Sequence, residues 1–176
     1  MFINLYFWIT DKLNIIGTFL PQLGLRTLLA WEFWEAGHEK LTGDNWFVHI
    51  KDNFPYPFNI VPTEISWNMA MGFELVGAIA LLIGLGTRFF SISLMILTVV
   101  AAVSVHVPAH WDSLSELFKY GYDICNSDGG NFKLPLMYMI LFLPLLFSGA
   151  GKASVDYWIA NRFMKDPDYI DGDIHK

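Results

Sequence analysis

Glu35 and His38 stand three residues apart, with Glu32 one helical turn before them, in the stretch WEFWEAGHEK. At this spacing a carboxylate and an imidazole project from one helical face and can share a metal ion. A dinuclear site would want two such pairs, and one is present. His106 and His110 are spaced i, i+4, but Pro108 between them interrupts any continuous helix. Glu32, Glu35, His38, His106 and His110 are therefore the candidate metal ligands, with copper or iron as the metal. A second group is charged rather than ligating. Arg26, Lys40, Glu74 and Arg88, together with His106, could line a polar pocket for a small molecule. Glu74 is the only charge in the eighteen residues from Met69 to Gly86. An ionised carboxylate at a bilayer centre costs roughly +2.5–3.5 kcal/mol, so Glu74 needs a partner, a proton or a role.

The elements that must position these residues read as membrane helices. The chain has 176 residues, 54% hydrophobic and 16% charged, with a mean hydropathy of +0.40. Its apolar residues are not confined to one helical face, unlike those of a soluble domain of this size. A net charge of −6, with Lys and Arg scattered, leaves no basic stripe for nucleic acid. One cysteine, Cys125, excludes an internal disulfide, a dithiol motif and a Cys-rich metal site. No nucleotide-binding loop and no Ser-His-Asp set is visible.

Four spans are expected, at about 18–37, 69–86, 89–107 and 134–149, each near the ~20 residues that cross a ~30 Å hydrocarbon layer. The expected fold class is an all-α integral membrane four-helix bundle, up-down-up-down, with interfacial helices at the N-terminus and after the fourth span. One domain covers residues 1–164, and the polar residues 165–176 form a disordered tail. Residues 38–65 and 108–133 make two long connections. Pro55, Pro57 and Pro62 forbid a continuous helix in the first, and Trp46, Phe47, Phe54, Tyr56 and Phe58 suit a segment folded over helix ends or along the membrane surface. Residues 113–120 suit a short amphipathic helix, and Ser154 suits the N-cap of a final one.

Lys12, Arg88, Lys152, Arg162, Lys165 and Lys176 fall on one side of this arrangement, and Lys40, Lys51, Lys119 and Lys133 on the other. The bias places both termini in the cytoplasm. The first residues lack a positive n-region and a small-residue cleavage site, so no cleaved signal peptide is expected. In this orientation Glu32, Glu35, His38, Glu74 and His106 arrive at one outer level. At 100° per residue, Arg26, Phe33, Gly37 and Lys40 lie within about 40° of one line, opposite Glu32, Glu35 and Glu39. Glu74, Gly77, Ala78 and Leu81 share a face, and small residues there permit close helix approach. Docking these two faces makes Glu74 the expected counter-ion of Arg26, either as a structural ion pair or as part of a site.

In order and spacing, Arg26, Gly37 and Lys40, then FELVGAIALLIGLGTR, then GAGKASVDYW, resemble the pattern of the DoxX family of four-helix bacterial membrane proteins. The Tyr/Pro-rich NFPYPFNIVPTE resembles the connection of its HvfX-like branch. The positions that match are Arg26, Gly37, Lys40, Glu74, Gly84, Thr87, Arg88, Ser154 and Asp156. Glu32 and Glu35 lie outside the pattern, and Ala150 stands where the family has Pro. The resemblance implies a multi-pass protein of the bacterial inner membrane, associated with redox or copper-handling systems. It implies an accessory subunit of an oxidoreductase system rather than an autonomous enzyme. Its partners would be the lipid bilayer and other membrane or periplasmic redox or metal-handling proteins. The pocket of Arg26, Lys40, Glu74, Arg88 and His106 would then hold a quinone-like or anionic small molecule. An outward-facing Glu/His metal-transfer site is the alternative.

Overall fold

Prolines and glycines divide the chain into helices. The computed structural model describes residues 2–108, 112–122 and 131–163. His110, Cys125 and the tail at 165–176 lie outside the described residues. The fold is all-α, with no strand among the described residues. Helix α1 is Phe2–Gly17 and α2 is Leu20–Thr42, followed by the single turn α3, Phe47–Ile50. Then come α4, Thr63–Ile83, α5, Thr87–Ala101, and α6, Leu114–Gly121. Helices α7, Lys133–Ser148, and α8, Val155–Phe163, complete it. Pro21 sits in the first turn of α2, where a missing N–H leaves no intrahelical bond unmade. Ser113 caps α6, its hydroxyl accepting from the Glu116 N–H at 3.3 Å.

The stretch from α4 through α5 turns over three residues. Gly84 closes α4 with φ 71°, and Gly86 opens α5 with φ 58°. Both angles lie in the left-handed region that glycine adopts without steric penalty. Beyond Ala101, α5 continues as one π-helical turn, Ala102–His106, before Pro108 ends it. Helix α4 and the run Thr87–His106 are each long and apolar enough to cross a membrane. Helix α7 is apolar but shorter, and α2 is longer but charged.

Helix α2 packs on α4, α4 on α5, α5 on α7, and α7 on α2. Leu29, Ala30 and Phe33 of α2 meet Ala78 and Leu81 of α4, Leu94 of α5, and Phe142 and Leu145 of α7 in one core. Glycines set the separations. A Cβ on Gly37 would lie 2.8 Å from Leu75 Cγ, and one on Gly77 would lie 3.1 Å from Leu94 Cδ1. Within lipid there is no hydrophobic gain in joining helices, so such close backbone approach is the main source of their attraction. Helix α1 buries none of its side chains, and Phe2, Tyr6, Phe7 and Trp8 are all exposed.

Candidate functional site

A cavity of about 630 Å³ opens among α2, α4, α5 with its π turn, and α7, at the end away from the Gly84–Gly86 turn. Its roof is the connection between α2 and α4, which contributes Trp46, Phe47, Ile50, Phe54 and Phe58. The Phe47 ring stands edge-on to Trp67, Phe54 and Trp46 at centroid distances of 5.0–5.1 Å. Such edge-to-face pairs favour one packed arrangement over many. Asn53 ties the roof to the π turn by donating to the Ser104 carbonyl at 3.4 Å. The proline-broken connection therefore folds over the helix ends.

Polar groups enter this largely apolar chamber in two pairs. Lys40 Nζ lies 2.9 Å from Glu74 Oε2, with both side chains largely buried. The Tyr138 hydroxyl donates to Glu32 Oε2 at 2.5 Å, joining α7 to α2. His106 and Ser104 face the cavity from the π turn, and Ser66 adds a buried hydroxyl that has no hydrogen-bond partner among the described residues. A π turn shifts the side-chain register by one residue relative to an α-helix, a device frequent at functional sites.

The expected pocket divides. Lys40, Glu74 and His106 line the cavity. Arg26 and Arg88 do not. Arg26 is 1% exposed and is held at the turn end by four carbonyls. Its Nε donates to Leu81 O at 2.8 Å, Nη2 to Leu82 O at 2.8 Å, and Nη1 to Ala150 O and Ala153 O at 2.7 and 2.9 Å. Two of these carbonyls belong to the last turn of α4, where the helix dipole is negative, and Leu81 O also accepts from the Gly84 N–H at 3.1 Å. Arg88 is exposed and donates to Phe147 O at 3.2 Å.

The expected Arg26–Glu74 pair is thus replaced by Lys40–Glu74. The faces dock as expected, with Gly37 against Glu74 and Leu75. The partner changes because Gly37 stands level with Glu74, which leaves Arg26 about 16 Å away along α2. Residues early in α2 meet residues late in α4, so Arg26 leans away from Glu74 while Lys40 and Glu74 lean toward each other.

Among the proposed metal ligands, Glu32, Glu35 and His106 line the cavity, while His38 is exposed and absent from its wall. Among the described residues no three His, Cys, Asp or Glu side chains converge to hold a metal ion. Tyr138 is the wall residue that sequence reasoning missed. Its signal was a phenol in the first half of a helix that is otherwise apolar between Lys133 and Ser148.

The turn end is a separate polar centre. Asp156 accepts from the Gly86 and Thr87 N–H groups at 2.7 and 2.9 Å, so α8 caps α5 from outside its own chain segment. Ser154 caps α8, its hydroxyl accepting from the Tyr157 N–H at 3.1 Å, as expected from the sequence. A Cβ on Gly84 would lie 2.6 Å from Ser154 Cβ and 2.8 Å from Arg26 Cζ. Arg26, Gly84, Ser154 and Asp156 thus form one clasp.

The protein is all-α, with two helices among the described residues long and apolar enough to cross a membrane and a charged, roofed chamber between its helices. Its residues 22–107, from α2 through the π turn, match the DoxX family. A protein of Haemophilus influenzae described as uncharacterized is 43% identical over 145 residues, covering 82% of this chain and 87% of its own length. The chain belongs to the DoxX family. No solved structure matches it.

Proposed function

We propose that this protein is a bacterial inner-membrane subunit of the HvfX-like branch, serving a redox or copper-handling system by holding an amphipathic, quinone-sized small molecule. The observation that carries this reading is the cavity of about 630 Å³, apolar and aromatic in most of its wall, with the Lys40–Glu74 pair inside it. Ligand pockets are typically ~300–1,000 Å³ and combine apolar walls with a few polar groups that orient the ligand. Lys40, Glu74 and His106 contact the ligand in this reading, while Arg26 and Arg88 hold the opposite end. The four mutually packed helices α2, α4, α5 and α7 form an up-down-up-down bundle. Lys and Arg bias puts the clasp and both termini in the cytoplasm and the cavity in the outer leaflet. Helices α1 and α8 lie in the membrane interface.

Purification in mild detergent, with organic extraction and metal analysis of the same sample, tests this. A lipid-soluble molecule is expected to copurify, to be lost in Glu74→Gln, and to be retained in His38→Ala. Stoichiometric copper or iron, lost in Glu35→Ala and His38→Ala with no organic ligand, would overturn the reading in favour of metal transfer.

A further inference from the structure

The cavity wall is strongly asymmetric in charge. Among the described residues lining it, Glu32, Glu35, Glu39 and Glu74 are acidic, and Lys40 is the one lysine or arginine. Lys40 is engaged by Glu74 at 2.9 Å. Glu32 accepts a bond from the neutral Tyr138 hydroxyl, while Glu35 and Glu39 are exposed at the wall. The three are left without a cation of the wall to balance them. Even a protonated His106 leaves the chamber acidic. The other surfaces are aromatic, from Phe33, Trp46, Phe54 and Tyr138, and aromatic faces attract cations. A concave site with low-dielectric walls of one sign concentrates the opposite charge.

We propose that the ligand of this cavity is a lipophilic cation, an apolar body bearing one positive charge. The inference rests on the reading of the cavity as a binding site, and it narrows the ligand's class. Anions are disfavoured by the same three glutamates. At ~10 Å and an effective dielectric of about 20, each such charge changes affinity by on the order of tenfold.

Tetraphenylphosphonium and tetraphenylborate, nearly equal in shape and opposite in charge, are the probes, with decylubiquinone as a neutral third. Equilibrium dialysis would use the full chain in nanodiscs of zwitterionic lipid, with empty nanodiscs subtracted. The expected result is saturable phosphonium binding at least about tenfold tighter than borate. It should weaken several-fold in the exposed double variant Glu35→Gln/Glu39→Gln, whose folding is checked by thermal unfolding, and weaken with added salt. Equal or tighter borate binding would overturn the inference, as would phosphonium binding unchanged in Glu32→Gln and in the double variant. Saturable decylubiquinone without phosphonium would overturn it while leaving the cavity a binding site. Saturation by none of the three would remove the binding-site reading itself.

Discussion

Lys40 and Glu74 meet at 2.9 Å from residues whose helices run in opposite senses, each side chain leaning toward the N-terminus of its own helix. Gly37, one turn before Lys40, lets α2 come close enough for the contact, since a Cβ there would lie 3.1 Å from Glu74 Cβ. The pair stands at the wall of the cavity and couples α2–α4 packing to the shape of the site.

Removing one partner leaves a buried charge uncompensated. Lys40→Met is expected to destabilise the protein by about 3 kcal/mol, and Lys40→Met/Glu74→Met to recover most of that loss. Reversible unfolding in detergent, run as a double-mutant cycle, measures both. A double-variant loss equal to the sum of the Lys40→Met and Glu74→Met losses would show that the pair contributes nothing as a pair.

Arg26 donates from three nitrogens to four carbonyls, a planar pattern that an ammonium cannot reproduce. Arg26→Lys is therefore expected to cost at least about 2 kcal/mol although the charge is kept. The thermal midpoint should fall, while binding in the distant cavity, measured below that midpoint, should change little. A wild-type midpoint in Arg26→Lys would show that charge alone suffices.

Gly84 and Gly86 separate two costs. Both have positive φ, but a Cβ on Gly86 finds its nearest neighbour at 3.6 Å, whereas one on Gly84 meets Ser154 Cβ at 2.6 Å. Gly86→Ala should lose about 1–2 kcal/mol of stability through backbone strain alone. Gly84→Ala should lose clearly more, because the clasp must open as well. Similar losses in the two would mean that the close approach relaxes freely.

Asp156 caps α5 with both carboxylate oxygens. Asp156→Ala is expected to cost about 0.5–2 kcal/mol, and Asp156→Asn less, since one acceptor oxygen remains. Amide hydrogen exchange at Gly86 and Thr87 should accelerate in both variants, more in the alanine. Unaltered exchange at those two amides in Asp156→Ala would argue against the cap.

The helices were legible because prolines and glycines punctuate long apolar runs. Pro21 opens α2, and Gly84 with Gly86 turns α4 into α5. The docking faces were legible from periodicity, with Gly37 against Glu74. The partner of Glu74 was not, because periodicity within each helix leaves open the axial register of α2 against α4, which sets Gly37 level with Glu74. Lys40, one turn beyond that level, leans back to Glu74, whereas Arg26 lies about three turns away. The aromatic connection was expected to cover helix ends, but which rings would face the cavity depends on Asn53 reaching Ser104, a contact between residues 51 apart in sequence. Asp156 was visible as a motif position. Its role as a cap on α5 was not, because the bonds join segments about 70 residues apart.

Two of the four carbonyls around Arg26, those of Ala150 and Ala153, and the carboxylate on Gly86 and Thr87 come from the last described part of the chain. While a ribosome is making the protein, the guanidinium has no access to those groups until residue 153 has emerged. The earlier helices can insert and begin to pair, yet this end cannot close before Asp156 has been made. A nascent chain halted before residue 150 carries an Arg26 guanidinium with two of its four carbonyl acceptors missing.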